Sequence, residues 1–203
     1  MGWRNSSNQV TEFVIVGVES DAVAWVSVAQ VKESGIASFK IQQDSNIKNK
    51  LLSFNIMEAK ANALFKKYKT KLIKDLGRHA LSNTEIDSVA QTLFGTKYRG
   101  SFAQNEKFEK KTGFYIINTD TASGPGEHWI SVVLTPKTAY VYDSFARDSK
   151  KLVPHLVRYL YPRKIIESKK DKEQKDAEII CGALSLAWLA VANDLGIKYA
   201  ILI

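Results

Sequence analysis

The sequence predicts an α+β protein in which a central apolar helix packs on a mainly antiparallel sheet, preceded by an N-terminal α/β extension. Three observations carry that prediction. Residues 114–118, 128–135 and 139–145 are short runs rich in β-branched and aromatic residues, and Pro136-Lys137 reads as the turn joining the last two. Residues 181–194 are strongly apolar over a helical length and stop near Gly196. Between residues 55 and 78, Ile56, Ala59, Ala63, Leu64, Tyr68, Leu72, Ile73 and Leu76 recur at helical spacing, with lysines on the opposite face.

Taken in order, residues 12–18, 24–31 and 36–41 are β-prone and are separated by turn-like Glu19-Ser20-Asp21 and residues 32–35, a small meander. The helix of residues 55–78 follows, with Gly77 as its stop. Ser82-Asn83-Thr84-Glu85 is a capping box that starts a second helix running through Phe94. A boundary near residues 79–81 therefore separates an extension, 1–80, from a second domain, 81–203. After Gly95, Tyr98-Arg99-Gly100 reads as a loop, and the three strands come next. A helix over 152–161 is halted by Pro162, residues 164–167 form a short strand, and 167–178 is charged and linker-like. The apolar helix and a terminal strand over 199–203 complete the chain.

The hairpin fixes a geometry. A two-residue loop at Pro136-Lys137 sets Thr135 against Thr138, and continuing the ladder sets His128 against Phe145, with Asp143 diagonally across from His128. Because side chains alternate, His128, Ile130, Val132 and Leu134 share a face with Ala139, Val141, Asp143 and Phe145. Six of these eight are apolar, so this face is expected to meet the apolar helix. One imidazole and one carboxylate at the far end of a buried face are unusual for a sheet with purely structural duties.

At 203 residues, with 45% hydrophobic and 25% charged residues, the chain is long and apolar enough to bury a real core. No uninterrupted apolar run reaches the length of a membrane span, and no charged-then-apolar leader opens the sequence. A single cysteine forms no internal disulfide, so the expectation is an intracellular protein, neither secreted nor membrane-bound. Met1-Gly2-Trp3-Arg4-Asn5-Ser6 fits a loose myristoylation pattern, but the bulky Trp3 beside the glycine argues against it. Net charge +8 directs attention to an anionic partner. Lys66, Lys67, Lys69, Lys71 and Lys74 crowd the first helix, and two readings stand: sequence-independent binding of DNA, or a plain solvated face. Three histidines and one cysteine without ligand spacing argue against zinc or any other metal.

Cys181 is the only cysteine and opens the apolar helix. A cysteine attacks as its thiolate, which a helix N-terminus and an adjacent imidazolium both favour. His128 is the candidate base and acid, Asp143 its orienter, and the Gln174 amide a donor to an oxyanion beside the Cys181 N–H. Gly182 and Gly126 leave room for a substrate backbone, and Trp129 stands next to the histidine. Each residue also has a plainer reading: Cys181 and Trp129 as core, Asp143 as a strand end, Gln174 as solvated.

Together, His128-Trp129, Asp143, Gln174 and Cys181-Gly182 resemble the ordered His-Trp, acid, Gln and Cys-Gly of the adenovirus protease (adenain) family, which shares a clan with SUMO- and ubiquitin-like-deconjugating proteases. The seven-residue step from Gln174 to Cys181 is the most specific feature. Residues 81–86 leading to Tyr98-Arg99-Gly100-Ser101-Phe102 resemble the family's opening helix and aromatic-glycine loop, so the likeness spans about 81–195. It implies a papain-like, adenain-like cysteine endopeptidase with Cys181 as nucleophile, His128 as base, Asp143 as orienter and Gln174 as oxyanion donor. It implies cleavage after small, glycine-containing sequences, with Trp129 walling a narrow cleft. It also implies processing of viral capsid and core precursors in the virion or the infected cell, without a cofactor but with stimulation by DNA in some members. The chain departs from adenain in having Asp143 in place of glutamate, no second cysteine for a disulfide-linked activating peptide, and an unmatched extension over 1–80. Such an extension resembles proteases of larger DNA viruses and virophages. Two rivals are an isopeptidase acting on ubiquitin-like proteins and a noncatalytic nucleic-acid-binding module.

Overall fold

Runs of apolar residues on both sides of Pro136-Lys137 build the hairpin at the centre of the sheet. The turn closes through the Thr135 N–H to the Thr138 carbonyl at 2.8 Å and the Thr138 N–H to the Thr135 hydroxyl at 3.0 Å. The computed structural model describes residues 18–19, 22–23, 45–168, 172–175 and 177–203, and divides into two units, Met1–Ser53 and Phe54–Ile203. In the first unit β1 (Val18–Glu19) pairs antiparallel with β2 (Ala22–Val23). The remaining strand expectations over 12–41 lie outside the described residues.

The helix α1 spans Ser45–Leu76 and α2 spans Asn83–Phe94. They are followed by β3 (Tyr98–Ala103), β4 (Gly113–Asn118), β5 (Trp129–Leu134) and β6 (Thr138–Tyr142). Next come α3 (Ser149–Leu152), α4 (Pro154–Leu160), β7 (Lys164–Glu167), α5 (Cys181–Leu195) and α6 (Ile197–Ala200). The result is a mixed α+β architecture with an open five-stranded sheet in the order β3-β4-β5-β6-β7. Its centre is antiparallel, whereas each edge strand runs parallel to its neighbour. No helix among the described residues is long and apolar enough to cross a membrane.

Where local chemistry is strong, sequence and structure agree. Ser82 caps α2 with the reciprocal Glu85 bond of a capping box. The β5–β6 register, with Leu134 opposite Ala139 and Val132 opposite Val141, is the one that the two-residue loop requires. Gly77 follows the last residue of α1 at φ 87, a left-handed turn that suits glycine.

Four expectations are corrected. Tyr98-Arg99-Gly100 is the start of edge strand β3 and not a loop; Tyr98 pairs with Phe114, and the register shifts before Ser101. Residues 199–203 form the end of α6 and a turn, because Gly196 lets the chain fold back so that Ala200 and Ile203 bury against the α5 core. The boundary expected near residue 80 falls inside the Phe54–Ile203 unit, where Ala61, Phe65 and Leu72 of α1 are buried in one cluster with Leu81 and α5. The buried stripe of α1 is thus set by Ala61 and Phe65, while Ile56, Ala59 and Ala63 lie exposed.

The fourth correction concerns the face that α5 covers. Ile130, Val132, Leu134, Ala139 and Val141 pack against Val153, Leu156 and Leu160, the α3–α4 side. The helix α5 lies on the opposite face, with Phe114, Ile116, Val133 and Tyr142. Both faces of the central strands are apolar, so alternation could not tell which one the helix takes. Every residue from 181 to 192 is buried, since α5 runs between the sheet and helices α1 and α2. Burying each of its leucines contributes about 1.5–3 kcal/mol.

Candidate active site

Strand β5 begins at Trp129 and β6 ends at Tyr142, but their pairing stops at Ser131 and Tyr142, so His128 lies three residues and Asp143 one residue beyond the last paired positions, at the same end of the hairpin. There the chain no longer alternates, and both side chains converge. The His128 Nε2 lies 2.7 Å from Asp143 Oδ1, and both groups are nearly excluded from solvent. The rings of His128 and Phe145 pack with their centroids 5.0 Å apart, although the ladder does not extend to them.

Helix α5 brings the sulfur to the other side of the imidazole. Two hydrogen bonds stitch the helix to β5: the Ser131 hydroxyl donates to the Ser185 carbonyl at 2.8 Å, and the Ser185 hydroxyl donates to the Trp129 carbonyl at 3.0 Å. The Cys181 thiol is thereby brought beside the His128 ring, close enough for each to shift the other's titration. Because Nε2 faces Asp143, the ring nitrogen left for sulfur is Nδ1. Cys181, His128 and Asp143, up to 53 residues apart in sequence, form one row.

The electrostatics of the row are mutual. Burial pushes the Cys181 thiol up, but the His128 hydrogen bond and charge, with the backbone N–H groups of Trp129 and Gly182, bring it below its ordinary value. Burial pushes His128 down, but its bonds to Asp143 and Cys181 and their charges leave it raised. Burial likewise opposes the Asp143 charge; His128 and Arg147 overcome it and hold the carboxyl well below the usual range. The arrangement favours a thiolate beside an imidazolium. The start of α5 adds to this, because Ile180 caps it without a side-chain hydrogen bond and its first N–H groups face outward along the helix dipole.

Cys181 opens into a cleft of about 520 Å³ whose walls include Leu81, Phe102, Asn118, Gly126 and Trp129. The 118–128 wall is held by two side chains. Asn118 Oδ1 accepts from the N–H groups of Asp120 at 2.9 Å and Glu127 at 3.1 Å, and Asp120 Oδ2 accepts from Gly126 at 3.1 Å. A Cβ on Gly124 would sit 2.0 Å from Asp120 Oδ2, so this wall closes only around glycine. Gly126, at φ 88, lines the cleft. The Trp129 indole N–H donates to the Leu81 carbonyl at 2.8 Å, which fixes the ring across the opposite wall.

Gly182 has a different role from the one expected. It is buried, and a Cβ there would lie 3.0 Å from Leu81 Cδ1; the missing side chain admits Leu81 to the first turn of α5 and does not make room for a ligand. Gln174 is buried, not solvated. Its Oε1 accepts from the Ser144 hydroxyl at 2.7 Å, and its Nε2 donates to the Glu178 carbonyl. Its side chain is therefore fixed at both ends, and an oxyanion role rests on the second N–H of the same nitrogen. The linker-like 167–178 is in part an ordered arm, with the Glu173 and Gln174 N–H groups bonded to the Ser144 carbonyl at 2.9 and 3.0 Å.

Among the lysines of α1, Lys66, Lys67, Lys71 and Lys74 are exposed. Lys69 is half-buried, and its ammonium donates to the Glu173 carbonyl at 3.3 Å, a tether to the arm that carries Gln174. Lys71 pairs with Asp75 one turn on. No group of histidine, cysteine, aspartate or glutamate suited to a metal ion occurs among the described residues.

Two contributors escaped the sequence reading. Ser144 positions Gln174, and Arg147 grips Asp143; the Asp143-to-Arg147 spacing across a turn was the available signal for the second. No protein-family model matches this chain, and no curated protein matches it.

Proposed function

We propose that this chain is a papain-like, adenain-like cysteine endopeptidase that processes viral capsid or core precursors, cleaving after small, glycine-containing sequences. The observation that carries the reading is the convergence of Cys181, His128 and Asp143, the last two hydrogen-bonded at 2.7 Å, at the mouth of a cleft. The Cys181 thiolate attacks the scissile carbonyl, and the negative charge passes to the carbonyl oxygen near the α5 N-terminus, where backbone N–H groups and the Gln174 amide stabilise it. The His128 imidazolium gives its proton to the departing amine, leaving an acyl-enzyme. It then takes a proton from the water that attacks the thioester, and Asp143 supports the positive ring in both states. A cleft walled by Trp129 and the Gly124-Pro125-Gly126 turn suits a substrate with little side-chain bulk beside the scissile bond. The exposed Lys66, Lys67, Lys71 and Lys74 are the group through which the protease would rest on packaged DNA in the virion or the infected cell.

The test is co-expression with candidate structural precursors, with products identified by mass spectrometry. The expected result is cleavage at glycine-containing sites by the wild-type chain and none by Cys181→Ala, with the fold retained. Unchanged turnover in that variant overturns the reading. Asp143 in place of glutamate, the acid of the deconjugating relatives, favours a second reading as an isopeptidase. Labelling of Cys181 by a ubiquitin-like vinyl sulfone, without precursor cleavage, would select it.

A further inference from the structure

Asp143 receives far more than one histidine requires. Its Oδ1 accepts from His128 at 2.7 Å and from the Phe145 N–H at 3.2 Å; its Oδ2 accepts from the Arg147 backbone N–H at 3.1 Å. The Arg147 guanidinium then closes on both oxygens, Nε to Oδ2 at 2.8 Å and Nη2 to Oδ1 at 3.3 Å. Arg147 reaches back because Ala146 adopts φ 55, a left-handed turn seldom taken by a residue with a side chain. The guanidinium also lies 4.9 Å from the centre of the Phe145 ring, which itself packs on His128. The acid of the row is thus forked between a fixed cation and a titrating one.

We infer that Arg147 is a positioning residue for the proposed triad: it locks the Asp143 carboxylate in the orientation that serves His128 and, by sharing its charge, limits how firmly the ring holds its proton. This rests on the cysteine-protease reading. A guanidinium next to the carboxylate offsets part of the field that would otherwise favour the imidazolium. The other groups near this cluster are Cys181 from α5, Glu167 from β7 and Lys172 from the following arm, with Glu173 acting on the adjacent Tyr142. Without Arg147 the site is one cation poorer, so the imidazolium persists to higher pH and the thiolate beside it forms only at higher pH. The ion-pair window moves upward as a whole while the loosened carboxylate slows the chemistry.

The experiment follows Cys181 alkylation by iodoacetamide against pH, the His128 ring resonance against pH, and kcat and KM for a cleaved peptide, in wild type, Arg147→Met and Arg147→Lys. For Arg147→Met the expected result is an upward move of both titrations by about one pH unit. It is accompanied by a fall of about tenfold in kcat with KM unchanged. Arg147→Lys, which keeps the charge without the fork, retains wild-type titrations and loses only kcat. Titrations that stay put or move downward in a folded Arg147→Met protein overturn the inference. Should Arg147→Met not fold, Arg147→Gln replaces it with the same two outcomes. Alkylation and the ring resonance need no turnover, so failure to cleave any peptide counts against the protease reading and leaves this inference decided by the titrations.

Discussion

Among the described residues two histidine–carboxylate pairs occur, and they sit in opposite surroundings. His128 and Asp143 meet at 2.7 Å with their side chains 7% and 4% exposed; His79 and Glu85 meet at 3.0 Å with theirs 50% and 45% exposed. Both contacts are short, so distance does not separate them. Burial does: the inner pair is screened from water, faces a thiol and is braced by Arg147, whereas the outer pair serves a helix cap. Similarly short contacts thus support the proposed chemistry in one place and a solvent-screened helix cap in the other.

Breaking the inner pair is expected to have the largest effect. His128→Ala should cut kcat/KM on the order of a million-fold, since it removes both proton acceptor and donor. Asp143→Asn should cost on the order of ten-thousand-fold, because an amide can hold the ring but favours the wrong tautomer and supplies no charge. Steady-state cleavage of one peptide by both variants checks the order, and an Asp143→Asn enzyme as active as wild type would remove Asp143 from the machinery.

Stability against pH sharpens the contrast. His128 is raised in the folded state, so its contribution is full below the ordinary histidine value near 6.5 and is lost as pH climbs through the raised folded value. Asp143 is lowered, so its contribution is full above the ordinary value and is lost as pH falls through the folded one. Glu85 is lowered to about 2, chiefly by the Ser82 backbone N–H and then by His79. Urea unfolding of wild type and His128→Ala should therefore differ more at pH 6 than at pH 9. The same difference for His79→Ala should be small at both.

Ser82→Ala, which deletes the cap beside the outer pair, should destabilise the protein by about 1 kcal/mol without shifting the pH profile of alkylation. His79→Ala should leave cleavage unchanged, and its small effect on stability should vanish in high salt. A shifted profile in either variant would show that the outer pair reaches the site.

Much of the inner pair was legible because a two-residue turn fixes register: given Pro136-Lys137, the pairing as far as Ser131 and Tyr142 follows, and with it the placing of His128 and Asp143 at the same end of the hairpin. The capping box of α2 and the extent of α5 were legible for the same reason, each being set by neighbours in sequence. The face taken by α5 was not, because strands buried on both sides carry no sign of which layer lies where. Edge strand β3 was hidden by its glycine and register shift, and the ordered arm around Gln174 by a charged composition that reads as solvent-exposed. Arg147 was missed for a related reason. A surface-type residue reached an internal carboxylate through the backward turn at Ala146, which composition does not signal.

The paired serine bonds between α5 and β5 bear on how the protein should behave when heated. Sulfur and imidazole ride on two segments laced together at Ser131, Ser185 and Trp129, so vibration of the whole body carries them as one and barely alters the gap between them. Inactivation should then coincide with the melting midpoint and not precede it, and a cross-stitch removed at Ser185→Ala should pull the two temperatures apart.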